Sequence, residues 1–235
     1  MRHFGVLIPS TNTTVEIEYT QLLPASLQAH YARVGKAQKI PFSPSLDTDL
    51  AYQSRMLGDA KVEVIALTQT SASMFDDDYD ATATASMQEN SGAPALTSAQ
   101  AIGEAVNALG MRRIALVSPY SEAVMARTKN YYESRYNLDV ITTVAFGASD
   151  SYAIGALSAG NATDAFASIQ DSSIEVLVVP GGNFPTMKHI AEWENRFGKV
   201  VLTTNQVVIW AVMNAMGIRE PLAGLGRLLA EQPRG

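Results

Sequence analysis

Short apolar runs alternate along this chain with longer stretches in which apolar residues recur at the i, i+3, i+4 spacing of one helix face. The runs Phe4 to Ile8, Leu27 to Val34, Val62 to Leu67, Arg113 to Val117, Asp139 to Ala145, Ile174 to Val179 and Val200 to Thr203 read as strands. Between them, Val15, Tyr19, Leu22 and Leu23 share a helix face that Pro24 stops, and Ile102, Ala105, Val106 and Leu109 share another that ends at Gly110. Ile209, Val212, Met213 and Met216 make a third such face. Further helices are expected from about Asp47 to Leu57, from the Ser118–Ser121 loop to about Tyr136, from a cap at Asp150 to Gln170, and from Thr186 to Phe197. Thr97-Ser98-Ala99-Gln100 has the spacing of a capping box. The stretch from Lys36 to Pro44 is turn-rich, and the tail after Pro221 is expected to be loosely attached.

Strands alternating with helices over short connections imply a mostly parallel α/β sheet with helices on both faces. The second half restarts the same order of elements, so two similar lobes facing each other across a cleft is the first reading and a single long sheet the second. Ligands of such sheets bind beyond the carboxyl ends of the strands. Two strand-end loops stand out there, Thr68-Gln69-Thr70-Ser71 and Pro180-Gly181-Gly182-Asn183. Both are small and polar, and the glycines let backbone N–H groups approach an anion closely. They read as two halves of one small-anion site.

Composition narrows the chemistry. The 235 residues suit one large domain or two small ones, and a net charge of −6 with no basic block argues against nucleic acid. There are no cysteines, which excludes disulfides, thiolate metal sites and cysteine nucleophiles. The three histidines, His3, His30 and His189, show no metal-ligand spacing, so no metal is expected. Phe75-Asp76-Asp77-Asp78-Tyr79-Asp80 reads as an acidic loop or helix start rather than a cation site. No apolar stretch approaches a membrane span and the N-terminus lacks a signal-peptide pattern, so a cytoplasmic location with no membrane partner is expected.

Gly5 to Glu16, with its Pro9-Ser10-Thr11-Asn12-Thr13-Thr14 centre, resembles the opening of the maleate cis-trans isomerase and arylmalonate decarboxylase branch of the aspartate/glutamate racemase superfamily. Asp59 to Ala66 leading into Thr70-Ser71, Val117-Ser118-Pro119-Tyr120, Asn183-Phe184-Pro185-Thr186 and Gly198 to Gln206 carry the same resemblance, in order, over nearly the whole chain. The resemblance implies two pseudo-symmetric Rossmann-like lobes, each a parallel four-stranded sheet, with an active site between them. It implies a first lobe of residues 1–95 plus 206–235, with the C-terminal helix returning to it, and a second of 96–205. It also implies no organic cofactor and a small carboxylate substrate altered at the carbon beside the carboxylate. Family members do this with one or two cysteines, one from each loop. Here Gln69 and Gly181 stand at those positions.

By the same resemblance Thr70 and Ser71 match the carboxylate-holding pair, able to stabilise an enolate as well; turn capping is the other reading. Tyr120 is expected to donate to the substrate carboxylate or act as an acid, with buried packing as its alternative. Asn12 either orients the ligand or caps the following helix, where Thr13 and Glu16 have capping-box spacing. Asn205 has the same ambiguity and is assigned to capping. Gly181 and Gly182 lie before a helix start, where N–H groups favour an anion, and Asn183 can hold a carboxylate or a water. Gln69 can orient water or substrate but is no useful base. Arg33 either reaches the anion or is a solvated strand-edge arginine, and His189 is expected at the surface.

Three functions compete. The first is a cofactor-independent enzyme, decarboxylase- or isomerase-like, acting on a small carboxylic or dicarboxylic acid with non-cysteine chemistry. The second is a non-catalytic carboxylate-binding or regulatory protein. The third is a partner-binding role, in which Tyr131-Tyr132 and the C-terminal helix form a homo-oligomer surface rather than ordinary core.

Overall fold

The structure is a computed structural model that describes residues 1–36 and 42–234. Of the turn-rich stretch, residues 37–41 therefore lie outside the described residues. The first sheet contains β1 (Arg2–Pro9), β2 (Leu27–Val34), β3 (Ile65–Leu67) and β4 (Ala95–Thr97) in the order β2-β1-β3-β4. The second contains β5 (Arg113–Ser118), β6 (Asp139–Ala145), β7 (Val176–Val179) and β8 (Val200–Thr203) in the order β6-β5-β7-β8. Every ladder is parallel. The second sheet repeats the strand order of the first, as two pseudo-symmetric α/β lobes require.

Strand lengths differ from the apolar runs. Val62 and Val64 are buried, but the ladder begins only at Ile65, because burial and strand pairing are separate demands. β4 is three residues, Ala-Leu-Thr, too short and too poor in β-branched residues to show as a run.

The helices are α1 (Val15–Leu22), α2 (Asp47–Asp59), α3 (Tyr79–Ser91), α4 (Ser98–Ala108), α5 (Glu122–Tyr136), α6 (Ala159–Ser168), α7 (Ile190–Phe197), α8 (Thr204–Ala215) and α9 (Arg227–Glu231). The capping box at α4 is formed in both directions between Thr97 and Gln100. The single helix expected from Asp150 to Gln170 is instead a short 3-10 helix over Ala153–Ala156 followed by α6. Asp150 caps only the first piece, through the N–H groups of Tyr152 and Ala153; Leu157 is extended, and Ser158 starts a new capping box.

Helix α8 packs on α4 and against β3 and β8, and Thr204 to Met213 are all buried. The tail is docked rather than loose. Leu228 and Leu229 of α9 are fully buried, Gln206 donates to the Leu225 carbonyl, and the Trp210 indole donates to that of Pro233. Tyr131 and Tyr132 are core residues. No helix among the described residues is long and apolar enough to cross a membrane.

Candidate active site

The two strand-end loops meet. They face each other across a cavity of about 40 Å³ lined by Asn12, Gln69, Thr70, Ser71, Tyr120, Gly181, Gly182 and Asn183, together with Pro9, Thr11, Phe42, Thr68, Ser151 and Ile154. All eight residues singled out as the site from sequence are thus brought to one place. Among the described residues no Lys, Arg, Asp, Glu or His lines the cavity.

The glycine loop is held by its carbonyls. Pro180 O accepts from Ser118 Oγ at 2.9 Å, Gly181 O from Phe184 N at 3.0 Å, Gly182 O from Asn205 Nδ2 at 3.1 Å and Asn183 O from Thr14 Oγ1 at 2.7 Å. Gly181 N donates to Thr204 Oγ1 at 2.8 Å. The Gly182 and Asn183 N–H groups have no acceptor among the described residues. A loop with its carbonyls tied back and two N–H donors left over is prearranged for an anion. Glycine is needed twice: Gly181 has φ +130, and a Cβ on Gly182 would lie 3.1 Å from Thr68 O and 3.2 Å from Asn205 Oδ1.

In the first lobe, a 3-10 helix over Thr70–Met74 begins directly after β3, and its Thr70 and Ser71 N–H groups have no acceptor among the described residues. Thr70 Oγ1 lies 2.8 Å from Ser98 Oγ and 3.2 Å from Thr204 Oγ1. Thr204 Oγ1 accepts from Gly181 N and shares a hydrogen bond with Thr70, which in turn shares one with Ser98. One hydroxyl chain therefore joins the two loops. Ser71 Oγ donates to Phe42 O at 3.0 Å. Burial pushes the Tyr120 phenol well above its ordinary range, and hydrogen bonding to Thr70 and Ser71 recovers only part of the shift. Tyr120 is thus a neutral donor at the cavity, with its ring edge-on to Phe42 at 5.4 Å.

Three amides lining the cavity are already engaged. Gln69 accepts from Ser45 Oγ at 2.5 Å and donates to Ser43 O at 2.9 Å, so it ties the loop before α2 to the cavity wall. Asn12 Oδ1 accepts from Thr14 N and Val15 N, both at 3.0 Å, and so supports the start of α1 from two residues ahead of Thr14, its N-cap; the Asn12 amide nitrogen has no partner among the described residues. Thr13 and Glu16 form no capping box. Asn183 Oδ1 accepts from Thr13 N at 2.7 Å while its Nδ2 donates to Ser151 O at 2.8 Å, so it staples the lobes together beside the cavity. Arg33 does not reach the site. Its guanidinium holds the Ser10 and Asn12 carbonyls and pairs with Glu16. Asn205 is not a cap either; Thr203 and Gln206 cap α8. His189 is off the cavity beside Trp193, and among the described residues no cluster of His, Asp or Glu could hold a metal.

Sequence reasoning missed Glu18, Asp80, Thr204 and Phe42. Glu18 and Asp80 are buried acids, and nothing in the local pattern separates them from solvated helix carboxylates. Thr204 is hidden inside a capping motif. Phe42 sits in the turn-rich stretch with φ +66, which no periodicity reveals.

A family model, arylmalonate decarboxylase, matches residues 4–229. The chain is 23% identical to the maleate isomerase of Alcaligenes faecalis over 96% of its own length and 95% of that protein's. Among solved structures it is similar to a cysteine-to-alanine variant of the maleate isomerase of Pseudomonas putida with maleate (TM-score 0.87, 24% identity, 97% of each chain). A maleate cis-trans isomerase variant from Nocardia farcinica, carrying a covalently bound succinylcysteine intermediate, matches with TM-score 0.86 and 22% identity over 97% of this chain and 98% of that one. At these identities the structures speak to the fold alone, and they agree with the two-lobed architecture. The family match spans nearly all of the sequence, and on that ground this chain belongs to the arylmalonate decarboxylase family.

Proposed function

We propose that this chain is a cofactor-independent enzyme acting on a small carboxylic or dicarboxylic acid, working by charge stabilisation rather than through a thiolate. The observation that carries this reading is the set of neutral donors around the cavity: the Thr70 and Tyr120 hydroxyls and the Thr70 and Ser71 N–H groups on one side, and the Gly182 and Asn183 N–H groups on the other. The Nocardia relative forms a covalent cysteine adduct; this chain has no cysteine, so that route is closed to it. Decarboxylation suits the site better, because it needs a place for developing negative charge more than a nucleophile.

In that reaction the donors hold one carboxylate. The bond from the α-carbon to the second carboxylate breaks and carbon dioxide leaves. The electron pair passes into the held carboxylate as an enediolate, which accepts the same hydrogen bonds more strongly. A water then delivers a proton to the carbon. Gly181 and Gly182 present no side chain on that wall of the cavity. Tyr120, kept neutral by burial, stabilises the enediolate rather than acting as a base. The relatives named above are all enzymes, which disfavours binding without turnover.

The test is incubation with malonate, 2-substituted malonates and maleate in deuterated water, followed by NMR. Loss of carbon dioxide with one deuteron gained at the α-carbon is expected, and Tyr120→Phe or Thr70→Val should lower kcat about 100-fold, the scale of one oxyanion donor. Tight binding of these acids with no turnover would overturn the enzyme reading in favour of a binding protein.

A further inference from the structure

We propose that Glu18 is a positioning residue: from the first half of the chain it holds, through Asn205, the Gly182–Asn183 peptide of the glycine loop, so that the Asn183 N–H is offered to a ligand beside that of Gly182. It rests on the reading of the cavity as a carboxylate site.

Glu18 lies on α1 and is only 7% exposed. No cation pairs with it among the described residues; its bonds all come from N–H donors of the second half of the chain. Oε1 accepts from Thr186 N at 2.6 Å and Met187 N at 2.8 Å. Oε2 accepts from Asn205 Nδ2 at 2.7 Å. That same Nδ2 donates to Gly182 O at 3.1 Å. The carboxylate therefore grips the chain just beyond the loop directly and the loop itself through one amide.

The acidic residue is required by the donor arithmetic. Asn205 can aim its nitrogen at both Glu18 and Gly182 O only if Glu18 presents an acceptor on that side. A glutamine at 18 has one acceptor oxygen for the Thr186 and Met187 N–H groups, and its amide nitrogen would then oppose that of Asn205. If Asn205 turns over to relieve this, its oxygen faces Gly182 O, and the loop peptide is repelled instead of held. Asn205 has no slack for other arrangements: it is 1% exposed, its Oδ1 has no partner among the described residues, and that oxygen already lies 3.2 Å from where a Gly182 Cβ would be. A buried carboxylate with no salt-bridge partner, only Lys188 acting at longer range, is costly, and a simple lobe-to-lobe staple could be apolar. What apolar packing cannot do is fix the rotation of the peptide that carries the cradle.

The experiment compares the full chain with Glu18→Gln and, as a control on an exposed helix carboxylate, Glu89→Gln. Malonate and maleate are the probes. Dissociation constants are measured by calorimetry at a temperature where circular dichroism shows each protein fully folded, and amide shifts of Gly181, Gly182 and Asn183 are followed by ¹⁵N NMR. Glu18→Gln should weaken binding about tenfold, the worth of one oriented donor to an anion, and shift those three amides, while Glu89→Gln changes neither. If Glu18→Gln does not fold, Asn205→Ala gives the same readout, because it cuts the link to Gly182 and leaves Glu18 on Thr186 and Met187. Wild-type affinity with unmoved loop amides in the folded variant would overturn the proposal. Should no probe bind the wild type, the carboxylate-site reading fails, and the amide shifts alone decide whether Glu18 sets the loop.

Discussion

The Asp80 carboxyl group, 5% exposed, accepts from Ser73 Oγ at 2.6 Å, Thr97 Oγ1 at 2.7 Å and the Tyr131 phenol at 2.5 Å. It therefore joins the 3-10 helix of the cavity wall, the cap of α4, and α5 of the second half. Asp80→Ala would strand three hydroxyls, all of them on buried residues that cannot turn to water. A loss of about 3 kcal/mol in urea unfolding is expected, since hydrogen bonds to a carboxylate are each worth roughly 1.5–3 kcal/mol and partial repair is available to the hydroxyls. Asp80→Asn should cost less, because its one oxygen still serves Ser73 and Thr97 while Tyr131 can become the acceptor. A loss below about 1 kcal/mol for Asp80→Ala would show that the hub is not stabilising. The acidic stretch Asp76–Asp80 reads in sequence as a helix start, and it is one; that its last member is buried against α5 depends on a contact 51 residues away.

At the scale of elements, α2 and α3 pack so closely that a Cβ on Gly58 would lie 2.5 Å from the Ser91 carbonyl oxygen and 2.7 Å from its Cα. Two effects oppose each other in Gly58→Ala. Alanine gains about 1 kcal/mol in helix propensity, while overpacking against backbone, which cannot swing aside, costs about 1–3 kcal/mol. The clash is deep enough to win, so a net loss of about 1–2 kcal/mol in denaturant midpoint experiments is expected. A more stable variant would mean that the two helices separate freely. The extent of α2 was legible in sequence to within two residues at its end, but the glycine was not informative until its neighbour was known.

For the whole molecule, the pH dependence of stability carries a sign that is unusual for carboxylates. Burial raises the pKa of Glu18, and it also raises those of Glu104 and Glu194. A raised folded-state pKa means that the native chain binds the proton more tightly than the unfolded chain. Stability therefore falls as pH rises from the ordinary carboxylate range through the folded value of each group. Glu63, Asp171 and Glu175 are lowered by hydrogen bonds and act in the opposite sense, but they are exposed and screened. The Glu18 contribution is isolated by the difference in unfolding free energy between wild type and Glu18→Gln, measured from about pH 4 upward. That difference should decline with rising pH and then level off; a rise would mean that the N–H donors outweigh burial at Glu18.

Most of the strands and helices, their mostly parallel pairing and the meeting of two polar strand-end loops were legible in the sequence alone, because each follows from local periodicity and from the general habit of α/β sheets; β4 and the break before α6 were not. The absence of cysteine likewise bounded the chemistry before any fold was known. Which side chains remain free to meet a ligand was decided by tertiary structure. Gln69, Asn12 and Asn183 look like ligand-binding amides in sequence, yet most of their hydrogen-bonding capacity goes to Ser43 and Ser45, to the start of α1, and to Thr13 and Ser151. Thr204 and Glu18 look like ordinary helix residues, yet they meet the glycine loop across 23 and about 170 residues of chain. Hydrogen bonding saturates, so the role of a polar group depends on who reaches it first, and that is a property of the folded chain. The glycine loop itself was legible as a gap where a thiol would stand; its two spare N–H groups emerged only when every carbonyl around them had found its partner.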